Sequence, residues 1–235
     1  MRNVWSIYKK ELTSYFNSPV AYIVLTVFLL ISGWFFAANF FLIGQATVRT
    51  VLVIIPWIFI AFVPALTMRS IAEEKKSGTI ELLVTMPVKD QDVVLGKFLA
   101  ALSLLAVALL FSLAYAFTAS LFGNLDEGPT IGGYIGLLLV GAAYVAIGIF
   151  ASSTSENQVN AFIIGLGIIF AFFMFDKVLI YVPPQLASIL EYLSVDYHYN
   201  SLARGVIDTR DLVYYLSLTA FALVLATRSL ESRKW

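Results

Sequence analysis

The sequence contains no cysteine and a single histidine, His198. Without cysteine, disulfides, thiolate metal sites and cysteine nucleophiles are excluded. One histidine also excludes an HExxH motif and any other paired-histidine metal site. Gly96-Lys97 lacks the glycine five residues upstream that a GxxxxGK phosphate-binding loop requires. The chain therefore cannot bind and hydrolyse ATP by that route.

Charge is also scarce. Charged residues make up 13% of the chain, about half the roughly 25% of a soluble domain, and mean hydropathy is +0.87. The net charge of zero leaves no basic face for nucleic acid. The carboxylates gather in one loop among lysines, with no cleft to raise a pKa, so no site for hydrolytic catalysis is predicted. These features indicate a membrane protein that is not an enzyme and binds no cofactor of its own.

Six apolar segments of spanning length predict an all-α polytopic membrane protein, with one membrane domain over residues 1–235. Their approximate bounds are 20–43, 51–68, 93–122, 131–151, 159–182 and 212–226. Between the last two, Pro183–Asp211 has helical apolar spacing and is predicted to lie on or dip into the outer face as short helices. Six spans place both termini on one side, where eleven of the fifteen Lys and Arg residues lie. The positive-inside rule therefore puts both termini in the cytoplasm.

Residues 2–16 are predicted to form an amphipathic helix in the headgroup layer of the lipid bilayer. Trp5, Tyr8 and Leu12 fall within one third of a helical wheel, and Lys9 and Lys10 lie opposite. Aromatic side chains on one face and lysines on the other are typical of an interfacial helix.

Local signals also predict how other helices begin. Ser155 with Gln158 three positions later fits a capping box for the fifth span, and Asp208 can cap the last one. Lys97 is predicted to extend back to the interface from the start of the third span.

Five residues are candidates for a pathway or an outer gate. Pro56 and Pro64 remove backbone hydrogen bonds from the second span, and the resulting kinks either shape a pathway or fit the helix to its neighbours. Asp176 and Lys177 are an ionisable pair in the fifth predicted span, which is a functional hypothesis by default. The alternative is that this pair lies near the outer interface. His198 is either an interfacial contact or a structural residue.

The stretch Arg69–Lys97 organises the chain, because it holds ten of the thirty Asp, Glu, Lys and Arg residues and lies between two spans. Gly78 breaks the chain, Thr79 can cap a helix, Glu81 favours its first turn and Pro87 ends it. The result is a helix of two turns, on the order of 10 Å long. Its apolar face consists of Ile80, Leu83 and Val84. Such a helix suits docking into another protein; the alternative is an ordinary solvated loop.

The same stretch resembles the cytoplasmic loop of ABC-2 type transporter permeases. The resemblance is carried by Ala72-Glu73-Glu74-Lys75-Lys76-Ser77-Gly78-Thr79-Ile80-Glu81-Leu82-Leu83, Met86-Pro87-Val88 and Gly96-Lys97-Phe98. In that family the loop contains a coupling helix that docks in a groove on the ATPase subunit. The resemblance implies rim ion pairs from Glu73, Glu74, Lys75 and Lys76, and groove contacts from Ile80, Leu83 and Val84.

Within the family, the chain resembles gliding-motility-associated and copper-maturation-type permeases. This likeness is carried by Tyr8 to Leu12 with Ser18-Pro19, and by Asp196 to Asp211. It implies an exporter in the bacterial inner membrane, built from two permease chains and two ATPase subunits that bind ATP and Mg²⁺, with room for an accessory extracytoplasmic subunit. The alternatives from other classes are an ATP-independent secondary transporter or channel, and a membrane scaffold.

Overall fold

The computed structural model of the chain describes residues 2–42, 44, 47–79, 88–123 and 125–232, and in these ranges it contains helices and no strand. The α-helices of the described ranges are α1 Arg2–Asn17, α2 Pro19–Ala37, α3 Arg49–Thr67, α4 Ala72–Lys76, α5 Asp90–Phe122, α6 Glu127–Thr154, α7 Gln158–Met174, α8 Pro184–Leu193, α9 Val195–Leu202 and α10 Thr209–Glu231. A π-helical turn, Ala38–Leu42, extends α2. The predicted all-α polytopic class is confirmed.

Five helical segments of the described chain are long and apolar enough to cross a membrane: α2, α3 with α4, α5, α6 and α10. The fifth predicted span is shorter than expected. Its helix, α7, has 17 residues and measures about 25 Å at 1.5 Å per residue. The expected end at residue 182 is wrong, because the helix stops at Met174 and the chain continues into a short 3₁₀ turn at Leu179–Tyr181.

Helix starts follow local side-chain chemistry. The Asp208 carboxylate accepts a hydrogen bond of 2.9 Å from the Arg210 amide, which confirms the predicted cap of α10. The predicted capping box at α7 is wrong. Asn157 caps this helix, because its side chain accepts from the Val159 amide at 2.9 Å.

Helix α6 lies at the centre of the bundle, and its glycines allow the neighbouring helices to come close. A Cβ atom at Gly133 would lie 2.7 Å from the Leu52 side chain of α3, and one at Gly141 would lie 2.7 Å from Leu105 of α5. Helix α3 continues across Pro56 and Pro64, both of which are buried in the bundle. Their burial supports the view that the prolines fit α3 to its neighbours.

The outer segment α8–α9 dips into the bundle at α9. The Tyr199 hydroxyl of α9 donates a 2.7 Å hydrogen bond to the Leu52 carbonyl of α3. In a regular helix that carbonyl would accept from the amide four residues later, but this residue is Pro56, which has no N–H. Tyr199 therefore satisfies a carbonyl that Pro56 leaves without its helical partner.

We expect Tyr199→Phe to lower stability by about 1–3 kcal/mol, because it leaves the buried Leu52 carbonyl unsatisfied. Thermal unfolding in lipid nanodiscs measures this loss, and Tyr181→Phe, at a side chain that is 84% exposed, is the matched control. Pro56→Ala restores an amide and should recover part of the loss in the double variant. Strictly additive effects of the two substitutions would contradict this explanation.

Candidate functional site

The residues that follow α3 form the first candidate site. Glu73, Glu74, Lys75 and Lys76 all lie in α4, a single short turn. After it Gly78 adopts a φ of 70°, a left-handed conformation that favours glycine. The four residues therefore precede the break and do not belong to the helix predicted after it. Ile80, Glu81, Leu83 and Val84 lie outside the described residues.

Helix α4 is attached to the bundle through a serine of α6. The buried Ser152 hydroxyl accepts from the amides of Ile71 and Ala72, both at 3.0 Å, and donates to the Met68 carbonyl at 3.0 Å. This serine thus bridges the break between α3 and α4. Thr79 lies beyond Gly78, and its hydroxyl donates back to the Glu74 carbonyl at 3.4 Å.

Three of the four predicted rim residues have intramolecular partners. The Lys75 ammonium donates to the Ser153 carbonyl at the end of α6. Glu74 forms a 2.9 Å ion pair with Lys97 of α5. Glu73 pairs with Arg69 at 3.2 Å on the exposed surface, and Lys76 is exposed. The expectation that Glu74 and Lys75 form rim pairs on a partner does not fit these contacts, whereas Glu73 and Lys76 face outward.

Lys97 is the centre of a three-residue ionic network. Its side chain is 2% exposed and contacts Glu11 of α1 at 3.0 Å and Glu74 of α4 at 2.9 Å. Helix α1 covers Lys97, so the predicted extension toward the interface ends at these two carboxylates and not in water. This cover is possible because the preceding residue is Gly96, where a Cβ would lie 2.6 Å from Ile7 of α1. The network joins α1, α4 and α5.

The predicted interfacial helix is α1. Trp5 is 55% exposed, stacks on Tyr8 with ring centroids 4.9 Å apart, and has the Lys9 ammonium 5.5 Å from its ring centroid. Tyr8 shares a 3.2 Å hydrogen bond with Ser103 of α5. Leu12 is half-buried, whereas Lys10 is exposed. Tyr8 of α1 is thus held against the bundle, whereas Trp5 and Lys9 are exposed.

The second candidate site is an ionic cluster on the outer side. Asp176 and Lys177 lie beyond the end of α7, which fits the alternative that this pair lies near the outer interface. Lys177 pairs with Asp176 at 2.7 Å and with Asp196 of α9, and Ser194 donates to Asp176 at 3.0 Å. Partial burial lowers the pKa of Lys177, but the hydrogen bonds and charges of the two carboxylates outweigh it and raise this pKa overall. The cluster fastens α9 to the end of α7.

His198 lies inside the outer half of the bundle and is 1% exposed. Its Nδ1 pairs with the Asp211 carboxylate at 2.7 Å, and its Nε2 contacts the Tyr192 carbonyl at 3.0 Å. The ring stacks on Tyr214 with centroids 4.0 Å apart. His198 thus joins α8, α9 and α10, as a structural residue would.

Sequence reasoning missed Ser152, Ser153 and Glu11. The two serines were part of an unremarkable polar turn, and their partners lie about 80 residues earlier in the chain. For Glu11 a signal existed. It lies next to the apolar sector of the α1 wheel, so an acidic group faces the same side as the buried residues.

Comparison with known proteins places this arrangement in a family. The model of the ABC-2 family transporter proteins matches residues 5–235. The chain is also similar to the probable ABC transporter permease protein NosY of Pseudomonas aeruginosa, with 28% identity over 191 residues, covering 75% of this chain and 70% of that protein. The described helices suit a multi-pass membrane protein of this kind. The chain therefore belongs to the ABC-2 family of transporter proteins, as a transmembrane permease.

Proposed function

We propose that this permease is the membrane subunit of an ATP-driven exporter in the bacterial inner membrane. Two permease chains and two ATPase subunits form the transporter, and ATP and Mg²⁺ bind only in the ATPase subunits. The observation that carries the proposal is the attachment of α4. Ser152 and Lys97 bind this turn to α6 and α5, directly before the loop that is predicted to dock.

The attachments of α4 suit the transmission of force. A docked ATPase would pull on residues 77–89, which begin at the end of α4. Because Ser152 bridges α3 and α4, and Lys97 connects α4 to α5 and α1, movement of the loop must displace these helices together. A loop attached only through flexible backbone would take up the same movement without moving the spans. Access through a pathway between two permease chains would then change with the ATPase state.

Leu83→Asp tests the docking part of this proposal. Apolar anchors contribute most of the binding energy in such a groove, whereas exposed ion pairs contribute about 0–1 kcal/mol each. We expect this variant to insert normally but to lose ATPase binding and ATP-driven transport. Leu186→Asp, the same change at a residue of α8 that is 54% exposed, is the control on the outer side. Unchanged complex formation and unchanged transport in Leu83→Asp would contradict the assignment.

The partner itself can be identified by pull-down. The chain is tagged at its C-terminus, extracted in mild detergent and analysed by mass spectrometry and an ATPase assay. We expect a P-loop ATPase of about 25–35 kDa, the size of one nucleotide-binding domain. If the chain is recovered alone while a known ABC complex survives the same detergent, an ATP-independent transporter replaces this proposal. A partner that assembles normally in the absence of any transport indicates a scaffold.

The finer parts of the proposal have narrower support. Association with gliding motility rests on the two stretches of likeness, around Tyr8-Leu12 and Asp196-Asp211. An accessory extracytoplasmic subunit would meet the outer face, where the connection between α9 and α10 exposes Val206 and Ile207. The pull-down also tests both of these associations, because motility proteins or an extracytoplasmic partner would be recovered with the chain.

A further inference from the structure

A polar cavity of about 380 Å³ lies between α1 and the cytoplasmic ends of α2 and α3. Its walls include Ser18, which caps the start of α2, and Arg69, which follows the end of α3. Both residues mark the level where apolar spans give way to charged sequence. In a membrane protein this is the level of lipid headgroups. The cavity therefore lies where a headgroup from the cytoplasmic leaflet can enter.

The inner end of the cavity has an unbalanced negative charge. Lys97 is one cation between two carboxylates, Glu11 and Glu74. The Glu11 and Glu74 side chains are 18% and 19% exposed, and both residues line the cavity. Partly buried carboxylates require hydrogen-bond donors, and a second cation beside them would balance the charge.

The outer end of the cavity carries cations. Lys10 of α1 and Arg69 both line it and are exposed. Arg69 uses its Nε atom on Glu73 at 3.2 Å, so its two terminal nitrogens can bind another anion. Guanidinium groups favour phosphate because they present several donors in one plane. The cavity thus has an acceptor at its inner end and cations at its mouth.

We propose that this cavity binds the phosphoethanolamine headgroup of a phospholipid from the cytoplasmic leaflet. The primary ammonium pairs with the carboxylates of Glu11 and Glu74 and offsets the excess negative charge, and the phosphate lies near Arg69 and Lys10. Phosphatidylcholine cannot replace it, because its quaternary ammonium has no N–H. Phosphatidylglycerol has no cation for Glu74. The bound lipid then secures α1 against the bundle, a role beyond ATPase coupling.

Native mass spectrometry of the full chain tests the proposal. The protein is released from nanodiscs of phosphatidylglycerol mixed with equal parts of either phosphatidylethanolamine or phosphatidylcholine. A hydrogen bond to a charged group contributes about 1.5–3 kcal/mol, so we expect retention of phosphatidylethanolamine to exceed that of phosphatidylcholine about tenfold or more. Equal retention of the two lipids would overturn the proposal.

Variants separate the two ends of the site. Glu74→Gln and Glu11→Gln should each reduce the preference for phosphatidylethanolamine, and Arg69→Gln, which leaves the Lys97 contacts intact, should weaken retention of both lipids. Glu156→Gln, at an exposed residue of the cytoplasmic turn, is the control and should change nothing. Unchanged selectivity in both Glu74→Gln and Glu11→Gln would overturn the site.

The source of the headgroup is tested with soluble phosphoethanolamine. If it displaces the retained lipid only at high excess, the membrane is the source. If it raises thermal stability as much as the lipid does, the membrane assignment is overturned and the ligand is a free metabolite. These measurements use the permease without its ATPase, so their failure leaves the coupling proposal untouched.

Discussion

Lys97→Met is expected to lower the free energy of unfolding by about 3–5 kcal/mol, the usual loss when one partner of a buried ion pair is removed. The variant leaves Glu11 and Glu74 close together without the cation that separates them. Their side chains are 18% and 19% exposed, so water compensates only in part. Thermal unfolding in nanodiscs should show a large decrease in the melting temperature. Lys76→Met, on the exposed face of α4, provides the control and should change stability little.

A triple variant distinguishes an electrostatic cause of this loss of stability from lost packing of the lysine side chain. Combining Lys97→Met with Glu11→Gln and Glu74→Gln removes all three charges and should recover much of the lost stability, because no uncompensated carboxylate remains. If the triple variant is as unstable as Lys97→Met alone, the lysine contributes through its methylene chain and the electrostatic explanation fails. Release of α1 is measured independently. The chain has no cysteine, so spin labels on cysteines placed at Ser14 and Lys76 report their separation without background.

Gly132→Ala is expected to cost about 1–3 kcal/mol, as overpacking of a close helix contact does. A Cβ atom there would lie 2.4 Å from the Leu202 carbonyl oxygen and 3.1 Å from the Gly205 Cα. Both are backbone atoms, which cannot rotate away as a side chain would. The substitution should therefore push α9 away from α6, and hydrogen exchange should rise in residues 195–202.

A control for this change lies one turn earlier in the same helix. A Cβ atom at Gly128 would meet nothing within 4 Å, so Gly128→Ala should leave both stability and exchange nearly unchanged. Equal effects of the two substitutions would mean that glycine acts through backbone flexibility. An effect at Gly132 alone would show that this glycine acts by allowing α9 to approach α6 closely.

The sequence could predict the structural features that depend only on residues close together in the chain. Low charge and long apolar runs predict the all-α membrane class. Gly78 predicts a chain break, and the structure has a left-handed backbone there. Asp208 predicts the cap of α10 that is observed. Each of these signals is complete within one or two turns of helix, so no distant partner is needed to interpret it.

The sequence could not predict contacts between distant residues. Pro56 shows that the Leu52 carbonyl lacks its helical donor. It does not show that Tyr199, 147 positions after Leu52, supplies one. Lys97 has the pattern of a lysine at a span end, and only the approach of α1 makes it a buried ion-pair centre. The end of α7 was missed because the apolar residues of the 3₁₀ turn, Leu179–Tyr181, continue the hydropathy signal. Asp176 and Lys177 fit helix continuation in the sequence, but in the structure Asp176 binds Ser194 and Lys177 binds Asp196.

The short length of α7 also affects the surrounding bilayer. Its 17 residues cover about 25 Å, whereas the hydrocarbon core of a typical membrane is about 30 Å thick. The bilayer next to this helix must thin locally, at a cost of fractions of a kcal/mol for each ångström of mismatch. The longer helices elsewhere on the perimeter impose no such thinning. Any protein surface that replaces lipid beside α7 removes this strain, so the elasticity of the membrane itself favours association on that side.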